Sequence, residues 1–166
     1  MAPDRPERQE TFSMLRTFLS RTGLLHFFHW QESMPFRILE HTADLSMEVT
    51  ADSFEALLGE ALRAITEWIG PEWAECKAER PFRIEAMDRS MLLVDLLNES
   101  LTLSQIHREA YDTLVIKSIG EGFVEGSFVG RAAAGARDEI KAVTYHGASV
   151  ECRPDGRWQA ILLMDI

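Results

Sequence analysis

The amino-acid sequence predicts an α+β domain in which two helices pack on a mostly antiparallel β-sheet. Two segments carry apolar residues at helical spacing, and most of the remaining chain alternates apolar and polar residues as strands do. A hairpin signal at residues 153–156 (RPDG) joins the last two strands, which makes that pair antiparallel. The predicted order of elements is therefore ββ-α-β-α-ββββ.

The composition predicts a globular domain with a sizeable core. The 166 residues are 46% apolar and 27% charged, and 17 basic against 27 acidic side chains give a formal net charge of −10. Because phosphate contacts need clustered Lys and Arg, we expect only weak direct binding of nucleic acid. Cys76 and Cys152 have no metal-binding spacing, so a reducing, cytoplasmic setting is expected.

Residues 1–34 differ in composition from the rest and predict a disordered or weakly helical extension. Residues 2–11 are polar, whereas residues 15–30 are basic and apolar and fit an amphipathic helix on a membrane or partner. The segment is too short and interrupted for a membrane span, and it lacks a signal-peptide cleavage pattern. We favour a third interpretation, in which Met34 is the natural start and residues 35–166 form a single domain.

Two predicted helices supply one layer of the domain. The first begins with a capping box formed by Asp52 and Glu55, carries one continuous apolar stripe, and ends at Gly70, which precedes a proline. The second covers about residues 88–104. It is apolar on most sides, so we expect more than one layer to cover it.

The predicted strands form the other layer. Two short strands precede the first helix, and Pro81 marks the strand between the helices as an edge strand or as one that starts late. In the second half of the chain, Gly126 and Gly130 lie on one face of a strand and predict a bulge or a tight bend. Residues 131–137 (RAAAGAR) are predicted to form a loop before the next strand, residues 139–151.

The last nine residues, 158–166, are predicted to form a core strand. Seven of them are apolar, which is typical of a strand buried on both faces. Asp165 and the terminal carboxylate of Ile166 arrive together at its end, and neighbouring carboxylates are costly without a positive partner. A hard divalent cation is one such partner. A solvated terminus is the other interpretation.

One group of reactive side chains lies near the end of the sequence. The sequence has no G-x-S-x-G, H-E-x-x-H or Walker-type motif, but Lys141, Tyr145 and His146 share one predicted strand. Strand alternation predicts Lys141 and Tyr145 on one face and His146 on the other. Packing and hydrogen bonding within a sheet explain such residues, and a general acid–base site is the alternative.

Four short motifs, in order and at the expected places, resemble those of the archease family. They are residues 40–44 (EHTAD), 92–99 (LLVDLLNE), 139–146 (EIKAVTYH) and the closing 165–166 (DI). The resemblance covers about residues 35–166. It departs from the family at Leu45 and Ser46, where many members have a β-branched residue followed by Gly.

The resemblance implies a non-catalytic accessory protein of an RtcB-type RNA ligase, which seals RNA ends in tRNA splicing and RNA repair. Family members are understood to promote guanylylation of the ligase and so to allow multiple turnover. A small metal-dependent enzyme or a general chaperone is the alternative function.

The resemblance also implies a bound divalent metal ion, usually described as calcium, with magnesium or manganese as alternatives. Its ligands are placed at Asp44, Asp165 and the terminal Ile166, all of them oxygen donors. Lys141 and His146 are the candidate contacts with the ligase.

Overall fold

The computed structural model describes residues 36–39 and 45–166. In this part of the chain, seven strands and two helices follow one another in the predicted order, so the α+β class is confirmed. The strands are β1 (Phe36–Leu39), β2 (Leu45–Ala51), β3 (Pro71–Glu85), β4 (Glu109–Ile119), β5 (Phe123–Ala136), β6 (Ala142–Cys152) and β7 (Trp158–Asp165). The helices are α1 (Phe54–Ile69) and α2 (Arg89–His107). The predicted extension, residues 1–34, lies outside the described residues.

The strands divide into two antiparallel sheets. The four-stranded sheet has the order β1-β2-β7-β6, and the three-stranded sheet has the order β3-β5-β4. β7 lies between β2 and β6, and one of its faces is fully buried through Ala160, Leu162 and Met164. Its other face, which includes Ile161 and Leu163, is half-buried. The predicted burial of both faces is therefore wrong for this second face, because the helices cover only the first.

Each helix contacts both sheets, and the core lies between the helices and the sheets. α1 lies against β2 and β4, and α2 lies against β6 and β4. Leu92, Leu93, Leu96 and Leu97 of α2 have no exposed surface, which confirms that more than one layer covers this helix. Each buried leucine contributes about 1.5–3 kcal/mol relative to an exposed one. No helix among the described residues is long and apolar enough to cross a membrane.

The N-terminus of α1 is capped by Ser53 and not by Asp52. Ser53 has an extended backbone, and its Oγ accepts a hydrogen bond from the backbone N–H of Ala56 at 3.1 Å. The predicted capping box of Asp52 and Glu55 is therefore wrong, and the Asp52 side chain is 95% exposed. At the other end, Gly70 adopts the predicted left-handed conformation with φ of 62°.

β5 continues through the segment that was expected to be a loop. Ala133 pairs with Trp73 of β3, and Ala136 pairs with Pro71, so the prediction for residues 131–137 is wrong. Alanine has a low strand propensity, but pairing with a distant strand outweighs that local preference. The next strand, β6, accordingly begins at Ala142, three residues later than predicted.

The two strand glycines lie opposite bulges in β4. The register between β4 and β5 shifts near Gly126 and near Gly130, which confirms the predicted bulge. A Cβ atom on Gly130 would lie 1.9 Å from the carbonyl oxygen of Ala110, and one on Gly126 would lie 2.0 Å from that of Val115. Only glycine permits this close approach of the two backbones.

Replacing Gly130 by alanine is expected to lower the free energy of unfolding by about 2 kcal/mol or more, because the new methyl group forces the β4 backbone away. Gly59→Ala is the matched control, since a Cβ atom there meets no atom within 4 Å. Gly59 lies inside α1, so this change is expected to stabilise the protein by about 0.5–1 kcal/mol. Urea unfolding of both variants checks the prediction, and equal stabilities would contradict it.

Candidate partner and metal site at one end of the four-stranded sheet

Three strand ends meet at one end of the four-stranded sheet. β2 begins at Leu45, which pairs with Met164 of β7, and β6 begins at Ala142, which pairs with Asp165. The backbone N–H of Lys141 donates a hydrogen bond of 2.8 Å to the carbonyl oxygen of Asp165. The antiparallel register thereby places Lys141 beside the end of β7.

Lys141, Asp165 and Ile166 together form what we call the C-terminal sheet end. The Nζ atom of Lys141 donates a hydrogen bond of 3.0 Å to the main-chain oxygen of Ile166. All three residues are exposed. The Asp165 carboxylate, the terminal carboxylate of Ile166 and the Lys141 ammonium group are therefore presented to solvent side by side.

Two of the three predicted metal ligands lie at the C-terminal sheet end. The Asp165 carboxylate and the Ile166 main-chain oxygen are hard donors, so they fit calcium, magnesium or manganese. Asp44 directly precedes Leu45 in the sequence but lies outside the described residues. Within the part of the chain that the structure describes, no three His, Cys, Asp or Glu residues group as metal ligands. A site here therefore needs the third carboxylate from Asp44.

β6 bulges away from β7 shortly after the C-terminal sheet end. The pairing of the two strands is interrupted between Thr144 and Ser149, and residues 145–148 form the bulge. Tyr145 and His146 are exposed there, with 56% of Tyr145 accessible. The predicted alternation of faces along this strand is therefore wrong beyond Thr144, because the bulge breaks the two-residue period.

Hydrogen bonds hold the bulge on both sides. The hydroxyl of Tyr145 donates to the carboxylate of Asp95 on α2, and Thr144 Oγ1 donates to the carbonyl oxygen of His146 at 3.0 Å. The bond to Asp95, with a smaller effect of burial, raises the pKa of the Tyr145 hydroxyl. None of the hydrogen bonds among the described residues joins Lys141 to Tyr145 or His146, so the acid–base alternative gains no support.

Three polar side chains of α2 contact β6, and none of them was predicted from the sequence to be a site residue. Ser90 Oγ accepts a hydrogen bond of 3.0 Å from the N–H of Val150, and the Asn98 amide makes two hydrogen bonds with the backbone of Val143. Asp95 is the third. The available signal was the spacing of Asp95 and Asn98, which puts two polar groups on one face of a mostly apolar helix.

A separate cavity of about 560 Å³ lies at the C-terminal turns of both helices. The polar side chains of Thr66, Glu109 and Tyr111 in its walls are already paired. Thr66 Oγ1 donates to the Tyr111 carbonyl oxygen at 2.6 Å, and the Tyr111 hydroxyl donates to Glu109 at 2.7 Å. Arg80 makes two hydrogen bonds to the Glu109 carboxylate and lowers its pKa. None of the predicted site residues within the described part of the chain lines this cavity, and we assign these paired groups a structural role.

The described part of the chain is a small α+β domain, and Lys141, Asp165 and Ile166 lie exposed at one end of its four-stranded sheet. The model of the Archease protein family (MTH1598/TM1083) matches residues 36–166, which include every residue that forms this end. The chain belongs to the archease family.

Relatives and solved structures agree with this assignment. The protein archease of Methanopyrus kandleri is 34% identical over 143 residues, which cover 80% of this chain and 100% of that protein. The protein archease of Pyrococcus furiosus is 31% identical over 76% of this chain and 95% of that protein. The solution structure of Methanobacterium thermoautotrophicum protein 1598 has a TM-score of 0.62 and 25% identity, covering 80% and 99% of the two chains.

A crystal structure from Thermotoga maritima is also similar. It is described as an archease and possible chaperone, and it has a TM-score of 0.58 and 27% identity. The match covers 77% of this chain and 94% of that one. Because the matched chains are covered almost completely, the similarity extends over the whole domain.

Proposed function

We propose that this protein activates an RtcB-type RNA ligase, promotes guanylylation of that ligase, and allows it to turn over repeatedly without being a catalyst itself. Membership of the archease family supports the proposal, and the convergence of Lys141, Asp165 and Ile166 carries it at the level of residues. Because these groups are exposed at the protein surface, they are better suited to contact another macromolecule than to surround a small substrate.

The C-terminal sheet end is expected to meet the ligase near the nucleotide or metal site of that enzyme. An activator must bind one state of its partner more tightly than the other, so we infer that this protein favours the conformation ready for guanylylation. Lys141 supplies a cation for an acidic or phosphate group of the partner. His146, on the neighbouring bulge, supplies a second polar contact.

A divalent metal ion, with calcium preferred over magnesium or manganese, is proposed to bind Asp44, Asp165 and Ile166. When bound, such an ion would supply a positive charge that offsets the mutual repulsion of these oxygen donors. The side-chain carboxylates of Asp165 and Asp44 and the terminal carboxylate of Ile166 would supply the negative charge and the oxygen donors that attract it. Lys141 opposes binding, because its ammonium group already contacts the Ile166 oxygen.

A general chaperone is the second candidate function, favoured by the description of the Thermotoga maritima protein as a possible chaperone. A chaperone that holds unfolded chains needs a contiguous apolar surface. The exposed large apolar side chains in the described part of the chain belong to different elements: Ile38 on β1, Met87 before α2, Ile106 in α2, Val115 on β4, Tyr145 on β6 and Ile166 after β7. This scatter favours a specific partner.

A ligation assay under multiple-turnover conditions tests the proposed function. RtcB-type ligase with RNA in excess is expected to make about one product per enzyme alone and many when this protein is added. This protein with RNA and nucleotide but no ligase is expected to form no product. Turnover without the ligase would favour the metal-dependent enzyme, and an unchanged yield with the ligase would contradict the activator.

A further inference from the structure

We propose that Asn98 is a positioning residue that fixes the start of β6 and thereby holds Lys141 beside Asp165 and Ile166. Asn98 itself is half-buried on α2 and does not belong to the C-terminal sheet end. Its effect on a ligase rests on the proposed function, whereas its effect on the placement of Lys141 follows from the fold alone.

At the free edge of β6, the side chain of Asn98 makes the backbone hydrogen bonds that a neighbouring strand would otherwise make. β6 is an edge strand of the four-stranded sheet, so half of its backbone groups face away from β7. At Val143, both outward groups are bound by Asn98: its Nδ2 donates to the Val143 carbonyl oxygen at 2.9 Å, and its Oδ1 accepts from the Val143 N–H at 2.9 Å. A primary amide can make this reciprocal pair, because it carries a donor and an acceptor side by side.

The start of β6 has few other anchors. Only Ala142, Val143 and Thr144 pair with β7 before the bulge, and regular pairing resumes at Ser149. Val143 is 2% exposed and fixes one side chain in the core, but it does not prevent the strand from rotating or sliding at its end. The two hydrogen bonds from Asn98 supply the missing restraint on the opposite edge.

Lys141 lies two residues before Val143, so its position depends on this restraint. Strand residues rise by about 3.3 Å each, and the short stiff segment transmits a displacement at Val143 to Lys141. Two contacts would change together: the 2.8 Å bond from the Lys141 N–H to Asp165 and the 3.0 Å bond from Lys141 Nζ to Ile166. Asn98 thus acts on the site through β6 without touching it.

Ser90 provides a matched control on the same helix and the same strand. Its Oγ bonds the N–H of Val150 at 3.0 Å, in the part of β6 that follows the bulge. Removing this contact loosens α2 from β6 far from Lys141. A general weakening of the helix–strand contact would therefore appear in Ser90→Ala as well, whereas a positioning effect would appear only at Asn98.

The test compares Asn98→Leu with Ser90→Ala by amide hydrogen exchange and by ligase activation at saturating protein. In Asn98→Leu, we expect exchange at the Lys141 amide to accelerate about tenfold relative to a core amide of β2, the size expected for the loss of two hydrogen bonds. Maximal activation is expected to fall by about tenfold or more, since small misplacements of positioned groups are costly. Ser90→Ala is expected to change neither quantity.

Asn98→Asp keeps an acceptor for the Val143 N–H but replaces the donor by a second acceptor oxygen that faces the Val143 carbonyl oxygen, so changes of the same sign are expected. This variant also decides the question if the leucine variant does not fold. Unchanged exchange at Lys141 in a folded Asn98 variant would overturn the proposal, and so would equal losses in Ser90→Ala. If the wild-type protein fails to activate the ligase, the proposed function fails, while the exchange comparison still accepts or rejects the role of Asn98.

Discussion

Replacing Asp165 by asparagine is expected to abolish ligase activation and to remove the stabilisation that calcium gives the wild-type protein. Asparagine keeps the size and one oxygen of the side chain, so the change tests charge alone. Because the side chain is exposed at the end of β7, the fold should be retained. Stability without metal should hold or rise slightly, because a carboxylate that would repel Asp44 has been removed.

The expected stabilisation of the wild-type protein by calcium follows from ligand binding. A ligand at 100 times its dissociation constant stabilises the folded state by about 2.7 kcal/mol, which raises the melting temperature of a domain of this length by about 5–10 °C. This increase is expected in the wild-type protein and should be absent in Asp165→Asn. Asp44→Asn is expected to behave in the same way, and thermal unfolding with and without calcium measures both.

Asp112→Asn is the control for these two variants, because Asp112 lies on β4 of the three-stranded sheet and its carboxylate accepts a hydrogen bond from neighbouring Thr113. It should keep both the calcium effect and the activation. If Asp165→Asn still gained melting temperature with calcium and still activated the ligase, Asp165 would be a solvated terminal residue, as the simpler interpretation of the sequence holds.

Lys141→Met is expected to have the second-largest effect, and to separate metal binding from activation. Methionine keeps most of the apolar stem but loses the ammonium group that contacts the Ile166 oxygen. Activation should fall by about tenfold or more, the usual cost of removing a charged partner contact. Calcium affinity should rise by about threefold, because a competing positive charge is gone and exposed charges are partly screened.

The control is Lys117→Met on β4, where Lys117 Nζ lies 3.2 Å from Glu125 in an exposed ion pair. This variant should keep wild-type activation and calcium affinity. Titration of calcium by calorimetry, together with the ligation assay, measures both effects. A Lys141→Met protein that lost calcium binding would show that the lysine supports the metal site, which is the opposite of the role assigned here.

The elements that sequence predicted well are those with strong local signals. Gly70 ends α1 because only a left-handed residue fits there, and the 153–156 hairpin follows from turn residues that act within four positions. The predicted N-cap of α1 was wrong by one residue, because Asp52 and Ser53 are both residue types that N-cap positions favour. Residue type alone did not decide between them.

The features that sequence missed depend on distant partners. The alanine-rich end of β5 forms a strand because β3 lies beside it, about 60 residues earlier in the chain. Asn98 and Val143 are 45 residues apart, and their pairing requires both the position of α2 and the free edge of β6. The bulge at 145–148 depends on the register with β7. The apolar periodicity of each segment alone does not reveal which distant segment it pairs with.

The candidate site divides in the same way. Asp165 stood out because a charged residue ends an otherwise apolar strand, whereas Asp44 and the role of Lys141 came from the resemblance to archeases. The structure adds the contact between Lys141 and Ile166, which follows from the antiparallel register of β6 and β7. Asp44 and its relation to this contact lie outside the described residues.

The rate at which RtcB-type ligase acquires covalent GMP from GTP tests the central claim most directly, because it needs no RNA and isolates the proposed step. We predict that wild-type protein accelerates this step by about tenfold or more, that Asp112→Asn does the same, and that Asp165→Asn leaves the rate at that of the ligase alone. Equal rates with and without the wild-type protein, or full acceleration by Asp165→Asn, would contradict the assignment of the C-terminal sheet end as the activating site.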